Sequence, residues 1–161
     1  MFDAAAKIVS LPEAVKIIHE IKAAGKKVVF TNGCFDLLHL GHVDYLEKAR
    51  NLGDFLVVGL NTDASVSAIK GPFRPVSPEL SRSRVMASLG FVDLVILFGE
   101  ETPLNLIEAI QPDILTKGND YSLENIVGAD FVMSKGGSVM TIPLVEGFST
   151  TNFVNRILSK P

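Results

Sequence analysis

The sequence predicts an α/β domain, a doubly wound parallel sheet of about five strands with helices on both faces. Two observations predict it. Short β-branched runs alternate with amphipathic stretches, and the hydrophobic period switches at each boundary. The runs themselves are almost unbroken apolar, which fits strands covered on both faces rather than one. Right-handed crossovers between such strands wind the sheet doubly. Ligands of such sheets sit beyond the carboxyl ends of the strands, where the strand order reverses.

Each element has its own signal. Ser10 followed by Glu13 is a capping-box pattern, and Leu11, Ala14, Val15, Ile18 and Ile21 keep helical spacing up to Gly25. A helix over 11–24, packed on the domain, follows. The first strand is 27–31 (KVVFT). A helix over 42–52 turns Val43, Leu46 and Ala49 inward and stops at Gly53, before a second strand at 55–60 (FLVVGL). A short helix over 62–70 is ended by Gly71-Pro72. Ser77-Pro78 opens another, with Val85, Met86 and Leu89 on one face. The third strand is 93–98 (DLVILF). Thr102-Pro103 starts a helix to Ile110, and the fourth strand is 113–116. A helix around 124–134 leads to a fifth strand at 139–145, and 149–158 is the last helix. No repeat, linker or low-complexity tract divides the 161 residues, so one domain over 1–161 is expected.

Composition narrows the function. Lys and Arg total 15 against 18 Asp and Glu, a net charge of −3, which argues against a nucleic-acid coat because phosphate backbones need a basic face. A local cluster of cations around one phosphate is not excluded. Cys34 is the single cysteine, so an intrachain disulfide and a multi-cysteine zinc site are ruled out. The amino end shows no basic-then-apolar leader, and the longest apolar runs are too short for a bilayer. A cytoplasmic domain without membrane attachment is the expectation.

The chemical signal is the segment Thr31-Asn32-Gly33-Cys34-Phe35-Asp36-Leu37-Leu38-His39-Leu40-Gly41-His42. It leaves the first strand, turns at Gly33 and enters a helix near His42, in the ligand crevice. Unpaired amides at a helix start favour an anion. Gly33 and Gly41 let the backbone approach a ligand, and His39 and His42, three apart, share one side of a turn. Fixed donors aimed at nonbridging oxygens are what phosphoryl transfer needs. A zinc site from Cys34, His39 and His42 lacks further ligands. Cys34 reads more simply as a small buried hydrophobe, and His19 as a solvated helix histidine. No G-x-x-x-x-G-K-[ST] and no G-x-G-x-x-G occurs, so the histidine loop has to be the phosphate site.

Gly33-Cys34-Phe35-Asp36-Leu37-Leu38-His39-Leu40-Gly41-His42 resembles the G-x-F-D-x-x-H-x-G-H signature of the cytidylyltransferase-like nucleotidyltransferases. The likeness extends to Lys70-Gly71-Pro72-Phe73-Arg74-Pro75-Val76, to Arg82, to Thr116-Lys117-Gly118-Asn119-Asp120-Tyr121 and to Gly147-Phe148-Ser149-Thr150-Thr151-Asn152. Together these are most similar to the heptose 1-phosphate adenylyltransferases of that superfamily, over roughly residues 27 to 158.

The resemblance implies a Rossmann-like nucleotidyltransferase that transfers AMP from ATP to D-glycero-β-D-manno-heptose 1-phosphate. Its products would be ADP-heptose and pyrophosphate, for lipopolysaccharide core or surface glycan synthesis. It implies catalysis by His39, His42 and Lys70. Nucleotide and phosphate binding would fall to Gly33, Cys34, Phe35, Gly41, Arg82, Lys117, Gly118, Asn119, Ser149, Thr150 and Thr151. Asp36, Asp63, Arg74, Asp120 and Tyr121 would hold the sugar phosphate, and Asn61 reads either as a sugar contact or as a plain loop residue. Arg82 is expected to reach phosphate by a forked contact, and Arg84 to face solvent. Ser149 reads as a helix cap, but three adjacent hydroxyls also suit triphosphate oxygens. Asn119 departs from the family's usual glycine, and asparagine tolerates the left-handed backbone that glycine would supply.

Magnesium is expected to arrive with ATP rather than occupy a protein cage. Family likeness and the prevalence of two-fold assemblies point to a homodimer, and a separate heptose kinase would be the pathway partner. Two rival readings stay open: a glycerol-3-phosphate or other alcohol-phosphate cytidylyltransferase, and a non-catalytic nucleotide-binding module.

Overall fold

A computed structural model describes residues 3–120 and 122–159. Its helices are α1 Leu11–Ala23, α2 Leu40–Arg50, α3 Asp63–Lys70, α4 Glu79–Ser88, α5 Leu104–Ile110, α6 Ala129–Ser134 and α7 Thr150–Leu158. The strands are β1 Val28–Gly33, β2 Phe55–Asn61, β3 Leu94–Phe98, β4 Ile114–Gly118 and β5 Ser138–Ile142. All pairings are parallel, in the order β3-β2-β1-β4-β5. The order reverses between β1 and β4, so the crevice predicted for a ligand opens above the ends of those two strands.

Two apolar clusters sandwich the sheet. Val29, Leu46, Leu56, Val58, Leu60, Met86 and Val95 pack on one face; Ile18, Phe30, Val57, Ile96, Ile107 and Leu115 pack on the other. Neighbouring strand residues divide between the two, as period-two backbone geometry requires. Each fully buried aliphatic or aromatic side chain contributes about 1.5–3 kcal/mol. That burial on both faces is what makes the strands read as unbroken apolar runs.

The boundaries follow local chemistry. The Ser10 N–H donates to Glu13 Oε2 at 2.9 Å, closing the capping box at α1, and Gly25 takes a φ of 75° just beyond its end. Four expectations need correction. The helix over 42–52 starts earlier, at Leu40, with His39 as its N-cap residue. The helix expected around 124–134 is broken into a 3-10 turn at Leu123–Asn125 and the short α6, because Gly128 adopts a left-handed conformation between them. The fifth strand stops at Ile142, before Pro143, which has no N–H for the ladder. In α4, Met86 is buried but Val85 is exposed; the inward face carries Arg82, Ser83 and Ala87 instead.

A 3-10 turn at Ala4–Lys7 carries no pattern that marks it in the sequence. Beyond it Ile8 bridges Val95 in parallel, and the Val9 N–H donates to the Val95 carbonyl at 3.1 Å.

Candidate active site

β1 delivers the chain to the crevice at Asn32 and Gly33, and α2 carries it away from Leu40 onwards. The connection is tight. Phe35 takes a φ of 42°, and its ring lies so close to Gly33 that a Cβ there would sit 3.0 Å from it. At Gly41 a Cβ would sit 3.1 Å from the His39 ring. The two glycines make room for the loop's own rings, and both also line the cleft where a ligand would approach the backbone.

His39 and His42 stack, their ring centroids 3.8 Å apart and their planes 21° apart, with Phe35 edge-on to His42 at 5.2 Å. Burial holds His42 down at about 4, helped by His39 and the Lys70 ammonium, while the Leu37 backbone opposes them. Burial lowers His39 as well. At neutral pH the pair is uncharged, and each ring keeps one N–H to donate and one lone pair. Nδ1 of His39, Nδ1 of His42, Oδ1 of Asn32 and Nη2 of Arg74 are buried without a protein partner. Such atoms cost about 1–3 kcal/mol each unless something satisfies them. All four belong to residues that line one crevice, and buried polar atoms of this kind call for a partner, whether water or ligand.

One cleft of about 730 Å³ gathers most of the expected residues: Gly33, Cys34, Phe35, Asp36, His39, Gly41, His42, Lys70, Arg74, Lys117, Gly118, Asp120, Ser149, Thr150 and Thr151 all line it. Lys70 ends α3 on one side. Lys117, at the end of β4, donates to the Asn32 carbonyl at 3.2 Å. Burial draws its ammonium down to about 8, against the opposing pull of Cys34 and Asp120. A Cβ at Gly118 would meet the Asp120 carboxylate and the Leu144 side chain, so the glycine lets both lie close to the strand end. Ser149 Oγ caps α7 by accepting from the Asn152 N–H at 3.1 Å, which leaves Thr150 and Thr151 outside the capping bond. Ser149 therefore caps the helix, and all three hydroxyl residues line the cleft.

Three expected residues do not line the cleft. The Arg82 side chain is fully buried. Its Nε donates to Ser77 O at 2.9 Å, its Nη1 to Cys34 O and Asn61 O at 2.8 Å each, and its Nη2 to Asp63 Oδ1 at 2.7 Å. The forked contact expected on phosphate is made on the protein, and Asp63 is its ion-pair partner rather than a sugar contact. Asn119 is exposed and lacks the left-handed φ expected of it; instead its Oδ1 accepts from the Leu144 N–H at 3.2 Å. Tyr121 lies outside the described residues.

Asp36 and Arg74 form a second buried unit. Arg74 Nε meets Asp36 Oδ2 at 2.6 Å, and the same carboxylate accepts from the N–H groups of Val76 and Ser77 at 2.9 and 2.8 Å. Burial would raise the Asp36 carboxyl, but those amides and the guanidinium outweigh it and hold it below its usual value. Asp36 thereby shapes the 74–77 loop, and Arg74, whose Nη2 is buried without a protein partner, is one of the residues lining the cleft. Asn61 also lines the cleft, with its amide donating to Ser65 Oγ at 2.9 Å.

Further wall residues are Asn32, Phe98, Glu101, Leu144 and Phe148. Asn32 was legible as a polar residue at a strand end, and Phe148 by its place beside the serine-threonine run. Glu101 carries no sequence signal, because only the fold brings the end of β3 to the histidine loop.

The profile of the cytidylyltransferase-like family matches residues 30–154. The chain belongs to this family. Within the cytidylyltransferase-like proteins it is 54% identical over 153 residues to the bifunctional protein HldE of Syntrophotalea carbinolica, covering 94% of this chain and 31% of that one. It is 58% identical over 151 residues to the bifunctional protein HldE of Magnetococcus marinus, again covering 94% and 31%. The chain therefore spans about a third of the length of these relatives. The crystal structure of the lipopolysaccharide core biosynthesis protein from Thermoplasma volcanium superposes with a TM-score of 0.60 at 32% identity, over 75% of this chain and 98% of that one. Pantothenate synthetase from Thermus thermophilus shares the fold, with a TM-score of 0.56 at 21% identity over 86% of this chain and 62% of that one. No helix among the described residues is long and apolar enough to cross a membrane.

Proposed function

We propose that this chain transfers the adenylyl group of ATP to a sugar 1-phosphate, D-glycero-β-D-manno-heptose 1-phosphate, forming ADP-heptose and pyrophosphate. The observation that carries nucleotidyl transfer is the stacked His39–His42 pair at the start of α2. Both rings hold an unpartnered nitrogen, in a cleft that Lys70, Lys117, Thr150 and Thr151 also line. The choice of sugar rests on the motif likeness. The names of the relatives, HldE and a lipopolysaccharide core biosynthesis protein, support it.

The substrate is the magnesium complex of ATP. The second ionisation of a phosphate monoester lies near ~6, so the sugar phosphate already carries an anionic oxygen and needs no general base. That oxygen attacks the α-phosphorus in line. Its bond to phosphorus forms as the bond from phosphorus to the bridging oxygen breaks, and pyrophosphate takes the electron pair. His39 and His42 donate N–H groups to the nonbridging oxygens on which charge accumulates. The amides at the start of α2 add their partial positive charge. Lys70, Lys117 and the α7 hydroxyls hold the remaining phosphates. Arg74, anchored by Asp36, meets the acceptor phosphate with its second nitrogen. The same reading places the protein in the cytoplasm as a homodimer, with a separate heptose kinase supplying the acceptor.

Pyrophosphate release tests this, with ATP and CTP each offered against heptose 1-phosphate, other sugar phosphates and glycerol 3-phosphate. Turnover is expected with ATP and the heptose phosphate. Turnover confined to CTP and an alcohol phosphate overturns the substrate assignment. His42→Ala is expected to lower kcat at least 100-fold while ATP binding persists. Intact turnover in that variant removes the catalytic role.

A further inference from the structure

The His39 ring is held by packing. Its Nδ1 has no hydrogen-bond partner in the protein, so no acceptor sets the angle of the ring. What surrounds it are other rings and a glycine. His42 stacks on it at 3.8 Å; Phe153 lies nearly parallel to it, at 5.8 Å between centroids and 18° between planes; Phe148 is tilted against it at 6.5 Å. Gly41 leaves the gap in which the ring sits. Phe153 comes from α7, a helix with no fully buried residue whose Ile157 and Leu158 are 65% and 78% exposed. An aromatic side chain that a sparsely packed helix turns onto a site imidazole has a more specific use than filling core.

We propose that Phe153 is a positioning residue, its ring fixing the plane of the His39 imidazole so that the N–H points at the transferring phosphoryl group. The proposal rests on the function put forward above. Offset aromatic contacts contribute about 0.5–1.5 kcal/mol and prefer defined orientations, and misplacing a catalytic donor by about 1 Å can cost on the order of 100-fold in rate. Thr150 and Thr151 lie in the same helix, so triphosphate seated on the α7 start also presses Phe153 towards His39. Nucleotide contact and histidine alignment are then two ends of one element.

The test compares Phe153→Ala, Phe153→Tyr and a control, Ile157→Ala, at an exposed position of the same helix. Two readouts are needed: the imidazole NMR signals of His39, without substrate, and steady-state kinetics. Phe153→Ala is expected to shift the His39 ring signals by loss of the ring current and to lower kcat about 10-fold, with the KM for ATP within twofold. Phe153→Tyr restores both, and Ile157→Ala changes neither. Unmoved His39 signals in Phe153→Ala, or an unchanged kcat, overturn the proposal. So does a KM effect equal to the kcat effect, which would mean simple loss of α7. If the unsubstituted protein turns over no nucleotide, the proposed function fails, and with it the catalytic purpose of the ring contact, whatever the NMR shows.

Discussion

Arg82 places three nitrogens on four acceptors drawn from the histidine loop, the end of β2, the start of α3 and the approach to α4. Removing it takes a donor from three carbonyls, those of Ser77, Cys34 and Asn61, and leaves Asp63 without its partner. Arg82→Ala is therefore expected to lose about 3 kcal/mol of stability, read as a lower urea midpoint with no nucleotide present. Arg82→Lys should recover less than half, since one ammonium cannot reproduce a planar fork. A pure phosphate ligand would give neither result. The motif that singles out Arg82 is sound as a marker of residue type, but it carries no direction. Whether a guanidinium faces a cleft or turns under the loop depends on contacts 19 to 48 residues away in the chain. His39 and His42 were legible because the glycines, the strand end and the helix start all lie within ten residues of one another. Phe153 was not, because its partner ring is 114 residues distant in the chain.

At the level of single elements, α7 depends most on its ends. Ser149→Ala removes the bond to the Asn152 N–H and is expected to weaken the helix by about 1 kcal/mol. Faster amide exchange confined to the first turn of α7 would show it, with the sheet amides unchanged. Its boundaries were readable because a hydroxyl cap and an amphipathic run are local signals. The same holds for the capping box of α1. The break before α6 was not, since Gly128 sits inside an otherwise periodic stretch and its left-handed conformation is imposed by the way residues 123–134 fold back over α5. The inward turn of α4 is not local either: hydrophobicity points to Val85, whereas the helix turns Arg82 and its hydrogen-bond network inward and leaves Val85 exposed.

Across the whole molecule, four groups that line the cleft make stability depend on pH in the same direction, and Glu13 in the α1 capping box adds to it. Both histidines are held below their ordinary value: for His42 the unfolded chain binds more protons than the native one between about 6.5 and 4, His39 acts in the same direction, and stability falls as the pH drops. Asp36, also lowered, contributes stability above the usual carboxylate range that is lost on acidification through its native value. Lys117, lowered to about 8, makes the unfolded chain the stronger proton binder between about 8 and 10.5, so stability rises across that window too. Urea midpoints should climb from pH 5 to 7 and again from 8 to 10; a maximum near neutrality would contradict the burial of these groups. The parallel sheet was legible from β1 to β4, because burial on both faces imposes one composition on those strands, whereas β5 is largely exposed at the sheet margin. The Ala4–Lys7 turn was not legible, since its role lies in the Ile8 contact with Val95.

That contact has a consequence for assembly. By taking the Val95 carbonyl, the amino-terminal segment blunts the β3 margin, while Ser138, Met140 and Thr141 stay exposed on the outermost strand at the opposite side. Accretion of a foreign strand, whether by swapping or by fibril templating, is thereby confined to one flank, and Pro143 cuts that flank short.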